Sequence, residues 1–192
     1  MRRLPTEYNG NGMKIWVFDN MTECTDAEIQ RMLPLVSAQR REQAIRYKHT
    51  LGRFCCLKSW LMWKELCGDM SDWLYNEHGK PYVPNGPYFS ISHCKEGIAV
   101  VVHDEPVGID IEHIRHADPE LIERVMSSGE RQRIHSERDF TRLWTQKEAV
   151  VKWQGTGIES FEQLQNILSE SRDIVISTFE KEKYIYSIAY GK

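Results

Sequence analysis

The sequence predicts an α+β fold, on three observations. Short runs alternate apolar and polar residues, as in Val107-Gly108-Ile109-Asp110-Ile111-Glu112, which is the period of a half-buried strand. Two longer stretches, 50–67 and 140–154, carry apolar residues at helical spacing. Each of these helices is followed by paired strands, so both halves of the chain repeat one coarse plan. The composition, 41% hydrophobic and 28% charged over 192 residues, is that of a soluble globular protein large enough for one large or two small domains. A net charge of −3 offers no basic field for nucleic acid. No apolar run approaches the ~20 residues that a membrane helix needs. Five cysteines without a C-x-x-C pair argue for reduced thiols in the cytoplasm, against a disulfide framework or a zinc site.

Taken in order, residues 1–12 read as a disordered extension. Met1-Arg2-Arg3 has charge but no apolar run of a signal peptide behind it, and Met13 is a candidate start. Ile15–Phe18 alternates as a strand. Thr25 caps a helix over 26–33 that Pro34 breaks, and Ser37 opens a basic helical segment over 38–48. Residues 50–67 form the long helix of the first half, ended by Gly68, with Cys55 and Cys56 as packed thiols. Strands follow at 73–76, 88–92 and 98–103, with turns at 77–81 and 84–87. Asp118 and Pro119 start a helix, and Ser127 starts another. Asp139 caps the long helix 140–154. A short helix over 161–168 and a hairpin of 173–179 with 183–190 complete the chain.

The candidate chemistry centres on Val107–Glu112. Its apolar residues face a core, which leaves Asp110 and Glu112 on the opposite face, roughly 6–7 Å apart along the strand. Two carboxylates that close repel, and a hard divalent cation removes the repulsion. An isolated D-x-E is most often only a solvated acidic face. On the helix 140–154, Lys147 falls in the middle of the apolar arc and needs a partner or a path to water. Glu148 lies on the shoulder of that arc, with Lys152 on the same face one turn later.

Four segments then stand in order: Gly79-Lys80-Pro81; Phe89-Ser90-Ile91-Ser92-His93; Gly108-Ile109-Asp110-Ile111-Glu112; and Trp144-Thr145-Gln146-Lys147-Glu148-Ala149 with Lys152 and Gly155-Thr156-Gly157-Ile158. This order and spacing resembles the 4′-phosphopantetheinyl transferases, in particular the single-chain, surfactin-synthetase type. The resemblance implies a pseudo-dimeric fold of two similar α+β halves, 13–105 and 106–192, each a small sheet packed on a long helix, with the active site in the cleft between them. It implies transfer of the phosphopantetheine arm of coenzyme A to a serine of an apo acyl or peptidyl carrier protein, with release of 3′,5′-ADP. It assigns Asp110, Glu112 and Glu148 to Mg²⁺, which Mn²⁺ can replace. Catalysis falls to Glu148, Lys152 and Asp110. Coenzyme A falls to Arg40, Arg53, Lys80, Ser92, His93, Lys147 and Lys152. Where relatives often carry a second basic residue after Arg40, this chain has Gln43. The resemblance also implies a cytoplasmic monomer without nucleic-acid or membrane partners. Arg115, Arg124, Arg131 and Arg133 offer a positive patch for an acidic carrier. The competing readings are a coenzyme-A-binding module without turnover, a metal-dependent nucleotide hydrolase and an α+β interaction protein.

Overall fold

The structure is a computed structural model that describes residues 12–68, 70–158 and 160–192. The expected extension, 1–12, lies outside the described residues except for Gly12. Strand β1 (Lys14–Phe18) opens the first half, followed by helices α1 (Asp26–Met32), α2 (Ala38–Ile45) and α3 (Thr50–Cys67). The Thr25 hydroxyl accepts the Glu28 amide N–H and the Ser37 hydroxyl accepts that of Arg40, so both expected caps are in place. Helix α2 stops three residues short of the expected Lys48. Beyond it the Arg53 guanidinium takes the Tyr47 and Lys48 carbonyls, which satisfies backbone groups that would otherwise extend the helix. Helix α3 ends at Gly68, whose φ of 75° suits a residue without a Cβ.

A two-stranded hairpin, β2 (Leu74–Tyr75) and β3 (Pro81–Tyr82), leads to β4 (Tyr88–Cys94) and β5 (Gly97–His103). Strands β1, β5 and β4 form one antiparallel sheet in that order. The even-numbered side of β5, Ile98, Val100 and Val102, joins Phe54, Leu57 and Met62 of α3 in one core. The second half begins with β6 (Val107–His113) and passes through the short helices α4 (Pro119–Val125) and α5 (Ser128–Arg131) to α6 (Glu137–Gln154). It ends with α7 (Phe161–Glu170) and the hairpin β7 (Ile174–Glu180) and β8 (Tyr184–Gly191). Its sheet is antiparallel in the order β6-β8-β7. Both sheets therefore place the opening strand beside the last strand of a later hairpin, after a long helix. Helix α6 starts three residues earlier than expected. Ser136, not Asp139, is the cap: its hydroxyl accepts the Asp139 amide N–H, while Asp139 accepts from the Ser136 hydroxyl and the His135 amide.

The two sheets meet across a third apolar cluster. Met13, Ile15, Ala99 and Val101 face Val107, Ile109, Ile111 and Ile188, all buried. Each of the Met, Ile and Val side chains here contributes roughly 1.5–3 kcal/mol by leaving water. The alternate side of β6 is covered as well, by α6. A Cβ on Gly108 would collide with the Ala149 carbonyl oxygen and the Trp153 amide nitrogen, so the absent side chain is what lets the helix lie on the strand. The sequence pattern of a strand with one solvated acidic face is corrected here: Asp110 is only 3% exposed. Among the described residues no helix is long and apolar enough to cross a membrane, and all five cysteines are free, Cys55 and Cys56 buried.

Candidate active site

Strand β4 runs alongside β6, and the two are tied by serine hydroxyls. Ser90 Oγ accepts the Ile109 amide N–H at 3.1 Å, and Ser92 Oγ donates to Asp110 Oδ1 at 2.8 Å. From α6, Lys152 Nζ donates to Asp110 Oδ1 at 2.5 Å and to Ser92 Oγ at 2.9 Å. Three groups from three elements thus close a triangle of hydrogen bonds. The charge-assisted bond to Lys152 is what makes the burial of the Asp110 carboxylate tolerable. The other carboxylate oxygen, Oδ2, is buried and has no hydrogen-bond partner among the described residues.

Glu112 and Glu148 complete the cluster. On α6, residues 144, 148 and 152 recur every four positions, so they share the face turned to β6. Trp144 lies beside Glu112 and lowers its pKa slightly. Burial pushes the Glu148 carboxyl up to about 7, with Asp110 and Glu112 adding like-charge repulsion that Lys152 only partly offsets. Glu112 is likewise raised, by burial first and then by Asp110, against the pull of Arg115, Lys152 and Trp144. Glu112 and Glu148 are therefore held above their ordinary proton affinity, by burial first and then by neighbouring carboxylates, beside the Asp110 carboxylate. This donor set fits a hard divalent cation such as Mg²⁺. It is not a closed cage: among the described residues no three His, Cys, Asp or Glu side chains are gathered tightly enough to hold an ion by themselves. Charge balance at Asp110 comes instead from Lys152.

The remaining expected residues divide. His93 is exposed at the mouth of the cluster. Its crowded, partly dehydrated position and the neighbouring Lys152 ammonium lower its pKa. Lys80 approaches from the β2–β3 hairpin. Its ammonium donates to the Val107 and Trp153 carbonyls at 3.3 and 3.2 Å, and burial without a carboxylate lowers its pKa to about 8. Asn76 Nδ2 donates to the Gly155 carbonyl at 2.9 Å, so the hairpin is pinned to the end of α6, where Gly155 has a φ of 75°. Arg40 is 6% exposed. It lies 4.0 Å over the Trp73 ring and donates to Gln43 Oε1 at 2.7 Å and to Cys56 Sγ at 3.8 Å. Its recorded partners are all uncharged, which leaves its positive charge available to an anion.

Two expected contacts are not brought to the cluster. Arg53 is used by the Tyr47 and Lys48 carbonyls. Lys147 is fully buried on the opposite side of α6, where Nζ reaches Glu130 Oε2 at 2.9 Å and the Leu164 and Gln165 carbonyls at 2.7 and 3.1 Å. It fastens α5 and α7 to α6. Sequence reasoning missed the neighbourhood of Trp144 and Glu112, although the spacing of four from Glu148 was visible, and it missed Ser90, whose hydroxyl accepts the Ile109 amide N–H.

Residues 106–190 match the family model of the 4′-phosphopantetheinyl transferase superfamily. The chain is 31% identical over 146 residues to the 4′-phosphopantetheinyl transferase psf-1 of Bacillus pumilus, a match that covers 68% of this chain and 63% of that protein. It is 27% identical over 161 residues to the 4′-phosphopantetheinyl transferase Sfp of Bacillus subtilis, covering 76% and 72%. It is 38% identical over 112 residues to the 4′-phosphopantetheinyl transferase AcpT of Salmonella typhi, covering 50% and 58%. The match thus spans between about half and three quarters of these relatives' lengths.

Proposed function

The chain belongs to the 4′-phosphopantetheinyl transferase superfamily, and from this premise we propose that it transfers the 4′-phosphopantetheine arm of coenzyme A to the serine hydroxyl of an apo acyl or peptidyl carrier protein, releasing 3′,5′-ADP. The observation that carries the reading is the convergence of Asp110, Glu112 and Glu148 with Lys152 where the two sheets meet. We propose that the halves 13–105 and 106–192 are related as a pseudo-dimer and that this seam is the catalytic cleft.

Asp110, Glu112 and Glu148 would hold Mg²⁺, or Mn²⁺ in its place. When bound, the ion would neutralise charge that develops on the phosphate oxygens as the pyrophosphate link breaks. Glu148 is the base for the attacking serine. In the metal-free site burial and the neighbouring carboxylates raise its proton affinity, and a bound ion would lower it again. Lys152 turns from Asp110 to the phosphates as they arrive, since one flexible ammonium can serve either anion. Arg40, Lys80 and His93 take the nucleotide end of coenzyme A. The protein acts as a cytoplasmic monomer, with no nucleic acid or membrane as partner.

Release of 3′,5′-ADP should require coenzyme A, the metal and an apo carrier together. Release without a carrier would make the protein a nucleotide hydrolase instead. Coenzyme A binding with no release under any condition would make it a binding module.

A further inference from the structure

We infer that Asn76 is a positioning residue for Lys80: its side-chain amide holds the β2–β3 hairpin of the first half on the C-terminal end of α6 while coenzyme A is bound. The inference rests on the proposed contact of Lys80 with coenzyme A. Asn76 uses its polar groups toward both halves. Its Oδ1 accepts the His78 and Lys80 amide N–H groups at 3.0 and 2.8 Å. Its backbone N–H donates to the Lys80 carbonyl and its carbonyl accepts the Gly79 amide N–H, both at 3.0 Å. These bonds close the turn that carries Lys80. The orientation of the side-chain amide is forced, because Oδ1 faces two donors while Nδ2 faces an acceptor, the Gly155 carbonyl at 2.9 Å. A flipped amide would set its NH₂ against two N–H groups and its oxygen against a carbonyl oxygen.

The hairpin needs such a tie. It has two residues in each strand and forms a sheet of its own, and a two-stranded hairpin is marginal by itself. Among the described residues it is hydrogen-bonded to the second half by Asn76 and by the Lys80 ammonium, which donates to the Val107 and Trp153 carbonyls. A phosphate oxygen that meets this ammonium competes with those carbonyls. Each carbonyl bond given up to the phosphate loosens the hairpin, whereas the Asn76 bond is untouched by the exchange. Gly155 permits the close approach. Its φ is 75°, and a Cβ there would stand 2.9 Å from Lys80 Cδ, so the lysine stem runs directly against the end of α6. Asn76 thereby fixes where that stem starts relative to the helix of Glu148 and Lys152, and less ordering remains when coenzyme A binds.

The test is a double-mutant cycle on coenzyme A affinity, measured by titration calorimetry on the full chain with Mg²⁺ and no carrier. Asn76→Ala should raise the coenzyme A Kd about three- to tenfold, the loss expected for one hydrogen bond. Asn76→Asp keeps an acceptor for both turn amides and loses the donor to Gly155. It should weaken binding at least as much as Asn76→Ala, and it carries the test if that variant does not fold. Lys80→Met should itself weaken binding, and in that background the Asn76 substitutions should lose most of their effect. A purely structural role would give the same fold-loss in both backgrounds. That equal loss, or an Asn76→Asp variant that binds like wild type, overturns the inference and leaves the proposed function standing. A folded Lys80→Met variant that binds coenzyme A like wild type removes the contact at Lys80, and the inference with it. A wild-type chain that binds no coenzyme A removes the proposed function itself.

Discussion

Replacing Glu148 by Gln should stabilise the metal-free protein while abolishing its proposed chemistry. The folded state holds the Glu148 carboxyl at about 7 against an ordinary value of 4.5, because burial and then Asp110 and Glu112 disfavour the charged form. A raised carboxyl pKa means that the folded state binds the proton more tightly than the unfolded state does. Stability contributed by this group is therefore full at low pH and falls as pH rises from about 4.5 to about 7, then stays level. The difference of about 2.5 pH units, at about 1.36 kcal/mol each, sets a ceiling of about 3.4 kcal/mol above pH 7. Partial exposure of Glu148 to solvent reduces this to about 1–2 kcal/mol. Glutamine has no proton to lose, so Glu148→Gln escapes the penalty. For a chain of this length the variant should melt roughly 2–8 °C above wild type at pH 8.5. The gap should shrink to a small fraction at pH 5. Mg²⁺ should raise the wild-type midpoint more than that of the variant, which narrows the gap at high pH. Thermal unfolding followed by circular dichroism at both pH values, with Mg²⁺ or with EDTA, reads all of this. A variant no more stable than wild type at pH 8.5, or a gap of equal size at pH 5, would refute the electrostatic reasoning.

Two further outcomes follow from named contacts. Lys147→Ala leaves Glu130 and two α7 carbonyls without their buried partner, so chemical denaturation should show a loss of about 3–5 kcal/mol, while coenzyme A affinity in the folded protein stays near wild type; weaker coenzyme A binding with unchanged stability would return Lys147 to the ligand. Arg124 and Arg131 are exposed, Arg124 lying over the Phe161 ring and Arg131 donating to the carbonyl of the adjacent Glu123, so reversal of both charges should raise KM for an acidic carrier and leave KM for coenzyme A alone; unchanged carrier kinetics would remove this surface from docking.

Most of the frame was legible in the sequence because local rules suffice for it. The bounds of α3 follow from its periodicity and from Gly68, and the strand β6 from its alternation. The site was legible only as residue types in order. Lys147 shows why. Its place in the apolar arc of α6 gave its burial, but the carbonyls that satisfy it come from α7, 17 and 18 residues later, and nothing in helical spacing points to them. Gly108 misled for a different reason. In an alternating pattern it stands where a polar residue would, so β6 read as half-buried, when its missing side chain is what brings α6 onto that face and buries Asp110. The bond from Ser92 to Asp110 joins residues 18 apart on strands of different sheets. Alternation places Ser90 and Ser92 on one side of β4, and only the meeting of the sheets gives that side its partner.

The central claim is transfer of a phosphopantetheine group, and the mass of the acceptor reports it directly. An apo acyl carrier protein incubated with this protein, coenzyme A and Mg²⁺ should gain the mass of one phosphopantetheine on its serine, and the gain should vanish with EDTA and with Glu148→Ala. A panel of apo acyl and peptidyl carriers that stays unmodified, with coenzyme A intact, would contradict the account; a mass gain that persists in EDTA would contradict the role given to Asp110, Glu112 and Glu148.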